Sequence, residues 1–311
     1  ICTQSYLINY DKDSNSFYSL ANYVNGVDQR YISETKGVNT KYNINIGIQF
    51  KENFYFGINI NTHDVYIKNW TGHNETNFSD NSAIKEISFE NSLTTQGEGI
   101  SIQLGGIAKF NFLRLGLSYQ SPTWYTLYDE TYQSLNVKSV DIDGVSYEDI
   151  VNPMVINAYP DYKINTPSSI TTSAAFVIGK FGILSMDLIS RDYSKSKIRP
   201  NRDFLNTNSE ISTKLTNTFD IRVGTEIRLN EFSFRGGYTK IESPYKDIQM
   251  TGNSNSYSFG LGYDFGASIL SFSHKVLKSE KKHQLFDSGL TDLAKIDTNH
   301  SVSNLSLIFK F

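Results

Sequence analysis

Apolar and polar positions alternate with a period of two along much of this chain. Over residues 41–50, Tyr42, Ile44, Ile46, Ile48 and Phe50 fall on one parity, with Asn43, Asn45, Gly47 and Gln49 on the other. Over 217–229, Phe219, Ile221, Val223, Ile227 and Leu229 oppose Asp220, Arg222, Glu226 and Arg228. Over 256–265, Tyr257, Phe259, Leu261, Tyr263 and Phe265 oppose Ser258, Gly260, Gly262 and Asp264. The chain ends "VSNLSLIFKF", with Leu305, Leu307, Phe309 and Phe311 on one parity, Asn304, Ser306 and Lys310 on the other, and Ile308 as the exception. Successive side chains of a strand point to opposite faces, so each stretch predicts a strand with one apolar and one polar face.

The connections decide what the apolar face meets. Very short links at 51–53, 110–112, 179–182, 230–231 and 266–267 alternate with long polar segments at 71–95, 131–160, 199–215, 243–255 and 278–300. Short and long links in strict alternation are the layout of an outer-membrane barrel, with tight periplasmic turns and long extracellular loops. The strand at 41–50 then runs toward the periplasm, and so does the last, at 301–311. Eleven strands from residue 41 onward, with one near 3–10, make about twelve. The predicted fold is all-β: a transmembrane antiparallel β-barrel forming a single domain over 1–311. The apolar parity of the last strand, Leu305, Leu307, Phe309 and Phe311, would face outer-membrane lipid, and its terminal Phe resembles the signature read by the barrel assembly machinery.

Composition fits this reading and narrows the chemistry. No apolar run approaches the ~20 residues of a membrane helix; the longest, around "AAFVI", has five. A transmembrane barrel hides its apolar surface in alternation and scores as polar overall. With 29 basic and 32 acidic residues there is no nucleic-acid footprint, and the single cysteine, Cys2, excludes an intrachain disulfide framework. The five histidines show no ligand spacing, and neither a nucleophile elbow nor a phosphate loop occurs, so no metal, no cofactor and no enzymatic activity are expected.

Three stretches resemble the FadL-type transporters of long-chain fatty acids and hydrocarbons. These are "GEGISIQLGGIAKFNFLRLGLSYQSPTWYTLYDETY", "TPSSITTSAAFVIGKFGILSMDLISRDYS" and "DIRVGTEIRLNEFSFRGGYTKIESPY"; the opening "YLINYDKDSNSFYS" is most similar to Bacteroidetes-type members. The resemblance implies a monomeric barrel of roughly fourteen strands, plugged by an N-terminal hatch, that passes hydrophobic molecules inward. The hatch and the first strands have no counterpart here and are expected upstream of Ile1.

Parity also supplies candidate residues. If Leu184, Met186 and Leu188 face lipid, then Asp187, Arg191, Arg222, Glu226, Arg228 and Arg235 face the lumen. There they would pair across strands as a structural network, because unpaired buried charge is costly, or gate the passage or hold a carboxylate head group. Trp124 and Tyr128 have inward parity, and Tyr125 outward, if Pro122 leaves the register unchanged. They read as an interfacial aromatic girdle or as a ligand entrance. The function expected is passive transport of hydrophobic small molecules such as fatty acids or aromatic hydrocarbons. The alternatives are a non-transporting barrel serving as a secretion partner or adhesin, and a general diffusion porin.

Overall fold

A computed structural model describes residues 2–5, 7–247, 251–284 and 291–310. Phe311, the terminal residue of the expected assembly signature, lies outside them. Strands β1 (Ile8–Asp11) and β2 (Ser16–Ser19) form a separate hairpin. The other sixteen strands join one sheet. In chain order they are β3 (Asp28–Phe50), β4 (Phe54–Thr76), β5 (Ile84–Phe110), β6 (Leu113–Gln120), β7 (Trp124–Val140), β8 (Ser146–Val151), β9 (Asn157–Ala158) and β10 (Tyr162–Asn165). They continue as β11 (Ser169–Ile178), β12 (Gly182–Asp192), β13 (Lys197–Arg199), β14 (Asn217–Leu229), β15 (Phe232–Ile241), β16 (Ser254–Asp264), β17 (Ser268–Gln284) and β18 (Leu293–Phe309). The single α-helix among the described residues is α1 (Leu205–Lys214), and one 3-10 turn spans Tyr193–Lys195.

The strands β3, β4, β5, β6, β11, β12 and β14 to β18 are neighbours in that order, an up-and-down meander. Among the described residues β18 pairs with β17, and β3 with β4. The short links fall where the alternation breaks, and left-handed backbone turns the chain there: Lys51 at φ 53°, Gly179 at φ 54° and Asn230 at φ 54°.

Two expectations change. The strand near 3–10 exists as β1, but it pairs with β2 and not with the large sheet. Three of the long polar segments, 71–95, 131–160 and 278–300, are largely strand as well among the described residues. β4 runs to Thr76 and β5 begins at Ile84, while β17 and β18 stay in register from Ser268↔Phe309 to Gln284↔Leu293. A strand needs ~9–11 residues to cross a bilayer, and β17 has 17. Backbone pairing continues beyond the apolar stretch because it needs only a partner strand, not apolar side chains. The segment 199–215 contains α1, tied down by Asn208, which accepts from Ile198 N at 2.8 Å and donates to Ile198 O at 2.8 Å.

The chain divides into two compact units. One comprises Ile1–Lys41, His63–Glu98 and Thr126–Tyr162, and holds a small core of Phe78, Ile84, Ile87, Leu135 and Val137. The other comprises Tyr42–Thr62, Gly99–Tyr125 and Lys163–Phe311. In this second unit the register shows what the alternation builds. Leu117, Thr172, Leu188 and Ile221 form one cross-strand row, and Leu115, Ala174, Met186 and Val223 the next. On the same face Leu117 is 61%, Phe259 56% and Leu305 74% exposed. So much contiguous apolar surface is not left against water, where it costs ~25 cal/mol per Å².

Candidate functional site

The opposite face of the second unit carries small and charged side chains. One row reads Arg222, Asp187, Ser173, Gly116, Ile107 across five neighbouring strands. The adjacent row reads Gly224, Ser185, Ala175, Arg114, Lys109. Glycine, serine and alanine fill little space above the backbone, and a cavity of about 530 Å³ lies over them, reached also by Tyr55 and Gly57. Its size is within the range of small-molecule sites, ~300–1,000 Å³. On the other side of the same glycines, a groove of about 520 Å³ is lined by Phe54, Phe56, Leu104, Leu115 and Leu117. The sheet between them is one layer thick at Gly105, Gly106 and Gly116.

All six charged residues read as inward lie on this small-residue face: Asp187 is opposite Arg222, Glu226 is opposite Arg235, and Arg191 and Arg228 share the parity of their strands. Their pairing differs from the simple cross-strand scheme. Glu226 is clamped by two guanidinium groups, Arg228 Nε at 2.5 Å and Arg235 Nε at 2.7 Å. Arg191 reaches past its register partner Thr218 to Asp220, at 2.6 Å. Asp187 and Arg222 face each other, yet no ion pair joins them among the described residues, and the Asp187 carboxylate is part of the cavity wall.

Asp220 is the residue that alternation put on the polar face without a role. It is almost wholly buried, and its second oxygen accepts from Glu242 N at 3.2 Å. The cavity itself was not foreseen, because its signal is an absence of side-chain volume on four adjacent strands. The glycines and serines at 105, 116, 118, 173 and 185 are visible in the sequence only once the register aligns them.

Trp124 and Tyr128 are corrected. Gln103 is opposite Gln120, but a Cβ on Gly99 would come within 2.5 Å of the Tyr125 ring, so Tyr125 stands over Gly99. From Gln103 to Gly99 is four steps and from Gln120 to Tyr125 is five, so one extra residue bulges at Ser121–Pro122. There the Ser121 hydroxyl accepts from Ile102 N at 2.9 Å, and the proline has no N–H to offer the ladder. A one-residue bulge exchanges the faces of everything after it. Tyr125 therefore takes the small-residue side, and Trp124, 43% exposed, takes the apolar one. Likewise Leu127 packs over Gly97 and is buried, leaving Tyr128 on the other face of its strand, 37% exposed.

Among the described residues no group of three or more histidine, cysteine, aspartate or glutamate side chains could hold a metal. What the cavity can do is bind: it offers mostly small and apolar surface, a few serine hydroxyls, one carboxylate and the Arg114 guanidinium.

No family profile and no curated protein matches the chain in sequence. Several solved structures are similar in fold. The "CymD monoaromatic hydrocarbon channel" is 10% identical, with TM-score 0.42, over 90% of this chain and 88% of that one. The toluene transporter TodX of Pseudomonas putida is 10% identical, with TM-score 0.42, over 90% and 86%. The toluene transporter TbuX of Ralstonia pickettii is 14% identical, with TM-score 0.44, over 92% and 72%. Likenesses of this depth do not carry a functional reading; the chemistry of the sheet does.

Proposed function

We propose that this chain builds the wall of an outer-membrane β-barrel through which hydrophobic small molecules, fatty acids or aromatic hydrocarbons, pass without nucleotide chemistry. The observation that carries the reading is a single-layer sheet with two contrasting faces. Rows of Leu, Phe, Ile and Met on one side suit lipid, and a cavity of about 530 Å³ over glycine, serine and alanine lies on the other. A hydrophobic ligand there gains burial at ~25 cal/mol per Å², and the sparse polar groups orient it without holding it tightly. In this reading the short links at 51–53, 179–182 and 230–231 are periplasmic and the long segments extracellular. The ion pairs of Glu226 and Arg191 stiffen the wall, and a single barrel is the working unit.

The test is uptake by proteoliposomes of radiolabelled toluene and oleate, with and without the Ser173→Phe, Ala175→Phe double variant that fills the cavity. Saturable uptake that the filled variant loses supports the reading. Ion conductance without hydrocarbon uptake overturns it in favour of a porin. Neither uptake nor conductance overturns it in favour of a partner or adhesin role.

A further inference from the structure

In the unit formed by Ile1–Lys41, His63–Glu98 and Thr126–Tyr162, a second cavity of about 300 Å³ opens on the sheet around Trp70. Its walls come from β4, β5 and β7, and include Lys68, Trp70, Glu90, Ser92, Glu130 and Tyr132. Thr95 pairs with Asp129 and Asn91 with Gln133 on the opposite face, which leaves the even-numbered side chains of β5 and β7 on this one. Along β4 the positions of Trp70's parity change from Phe54, Phe56, Ile58 and Ile60 to Thr62, Asp64, Tyr66 and Lys68. Around Trp70 this face carries charge, and charge in hydrocarbon is costly, so here the face meets water.

Three features point to a ligand. The Trp70 ring extends forward along its own strand over Gly72, where a Cβ would come within 2.7 Å of ring atom Cη2. The missing side chain leaves the indole the space above Gly72. Second, Lys68, Glu90, Ser92, Glu130 and Tyr132 have no side-chain hydrogen bond or ion pair among the described residues, although all converge on the cavity. Third, they present both kinds of hydrogen-bonding group: the ammonium only donates, the carboxylates only accept, and the hydroxyls do both.

We infer that this cavity binds a saccharide. The C–H face of a sugar ring is electropositive and apolar and stacks on the negative face of an indole, while its hydroxyls donate to carboxylates and accept from ammonium groups. A cation would satisfy Glu90 and Glu130 but be repelled by Lys68, and an anion would satisfy Lys68 alone. A polyhydroxylated ligand uses all of them. Its source is either the oligosaccharide head of a membrane lipid or a soluble glycan.

The chain has two tryptophans, so in a Trp124→Phe variant Trp70 is the sole indole. That protein is titrated with core oligosaccharide released from lipopolysaccharide, with maltoheptaose and with tetramethylammonium chloride, while its emission is followed. A saturable shift with a saccharide is expected, weakened ~10-fold or more by Glu90→Gln with Glu130→Gln as charge-assisted hydrogen bonds are lost. Gly72→Val, which displaces the ring, should weaken it also, with circular dichroism reporting that each variant is folded. A response to the core oligosaccharide alone assigns the lipid source; a response to maltoheptaose assigns the soluble one. No saturable shift with either saccharide, a shift unchanged by both substitutions, or a response to tetramethylammonium alone overturns the inference.

Discussion

Arg191 Nη1 donates to Asp220 Oδ2 across 2.6 Å, joining β12 to β14, with the Asp220 side chain 3% and the Arg191 side chain 29% exposed. Asp220 also receives the Glu242 N–H from beyond β15, so one carboxylate ties three segments of the sheet. Removing Asp220 leaves the Glu242 N–H without its acceptor and the Arg191 charge, 29% exposed, only partly hydrated. Asp220→Ala should therefore lower unfolding stability in lipid vesicles by about 1–3 kcal/mol, while the Arg191→Met, Asp220→Leu double variant loses less. Urea titrations of the three proteins check this, and a double variant less stable than either single one contradicts it.

The bulge at Ser121–Pro122 predicts which environment Trp124 meets. With Trp70 changed to Phe, the remaining indole lies on the face of Ile100, Ile102 and Leu104. Brominated acyl chains should quench it strongly in proteoliposomes. An unquenched indole, or one quenched by aqueous iodide instead, would return Trp124 to the inner parity.

Cavity filling separates binding from folding. Ser173 and Ala175 face open space on β11, so phenylalanine at both positions should cost under about 2 kcal/mol of stability, since nothing packed is displaced. Transport should fall steeply all the same. Loss of folding, measured by the same urea titration, would mean the cavity is filled in the working protein.

Tyr162 predicts a pH response. Burial first, and then the Asp129 carboxylate beside it, push its hydroxyl up to about 12 from the ordinary 10. Because the folded value is raised, the neutral phenol is favoured by folding. Its stabilisation is complete below pH ~10, and is lost as pH rises through about 12. Phenolate absorbance of the protein minus that of Tyr162→Phe should show one group titrating near that value, and Asp129→Asn should lower it. A difference titrating near the ordinary value would refute the assignment.

The bulge also shows where reading along the chain fails. Alternation located β11, β12, β14, β15 and β16 and put Asp187, Arg222, Glu226 and Arg235 on one face, as the register does, because each sits in an unbroken ladder. For Trp124 and Tyr128 the same rule holds only if Pro122 leaves the register unchanged, and the bulge at Ser121–Pro122 shifts it before both. Parity is a cumulative count, so one bulged residue inverts everything beyond it.

The sequence by itself determined the strands, the short turns and the two faces of the sheet, because a period of two is local and survives wherever a strand is continuous. Only the tertiary structure decided which residues become partners. Glu226 takes two arginines, Arg191 reaches Asp220 instead of its neighbour, and Asp187 stays beside Arg222 without an ion pair. Both cavities are tertiary for the same reason. Gly105, Gly116, Ser173 and Ser185 lie far apart in the chain, as do Trp70, Ser92 and Tyr132, and register across neighbouring strands brings each set together. The alternation along one strand fixes which face a side chain takes, but which residue of the next strand lies beside it depends on the turns and on the partner strand.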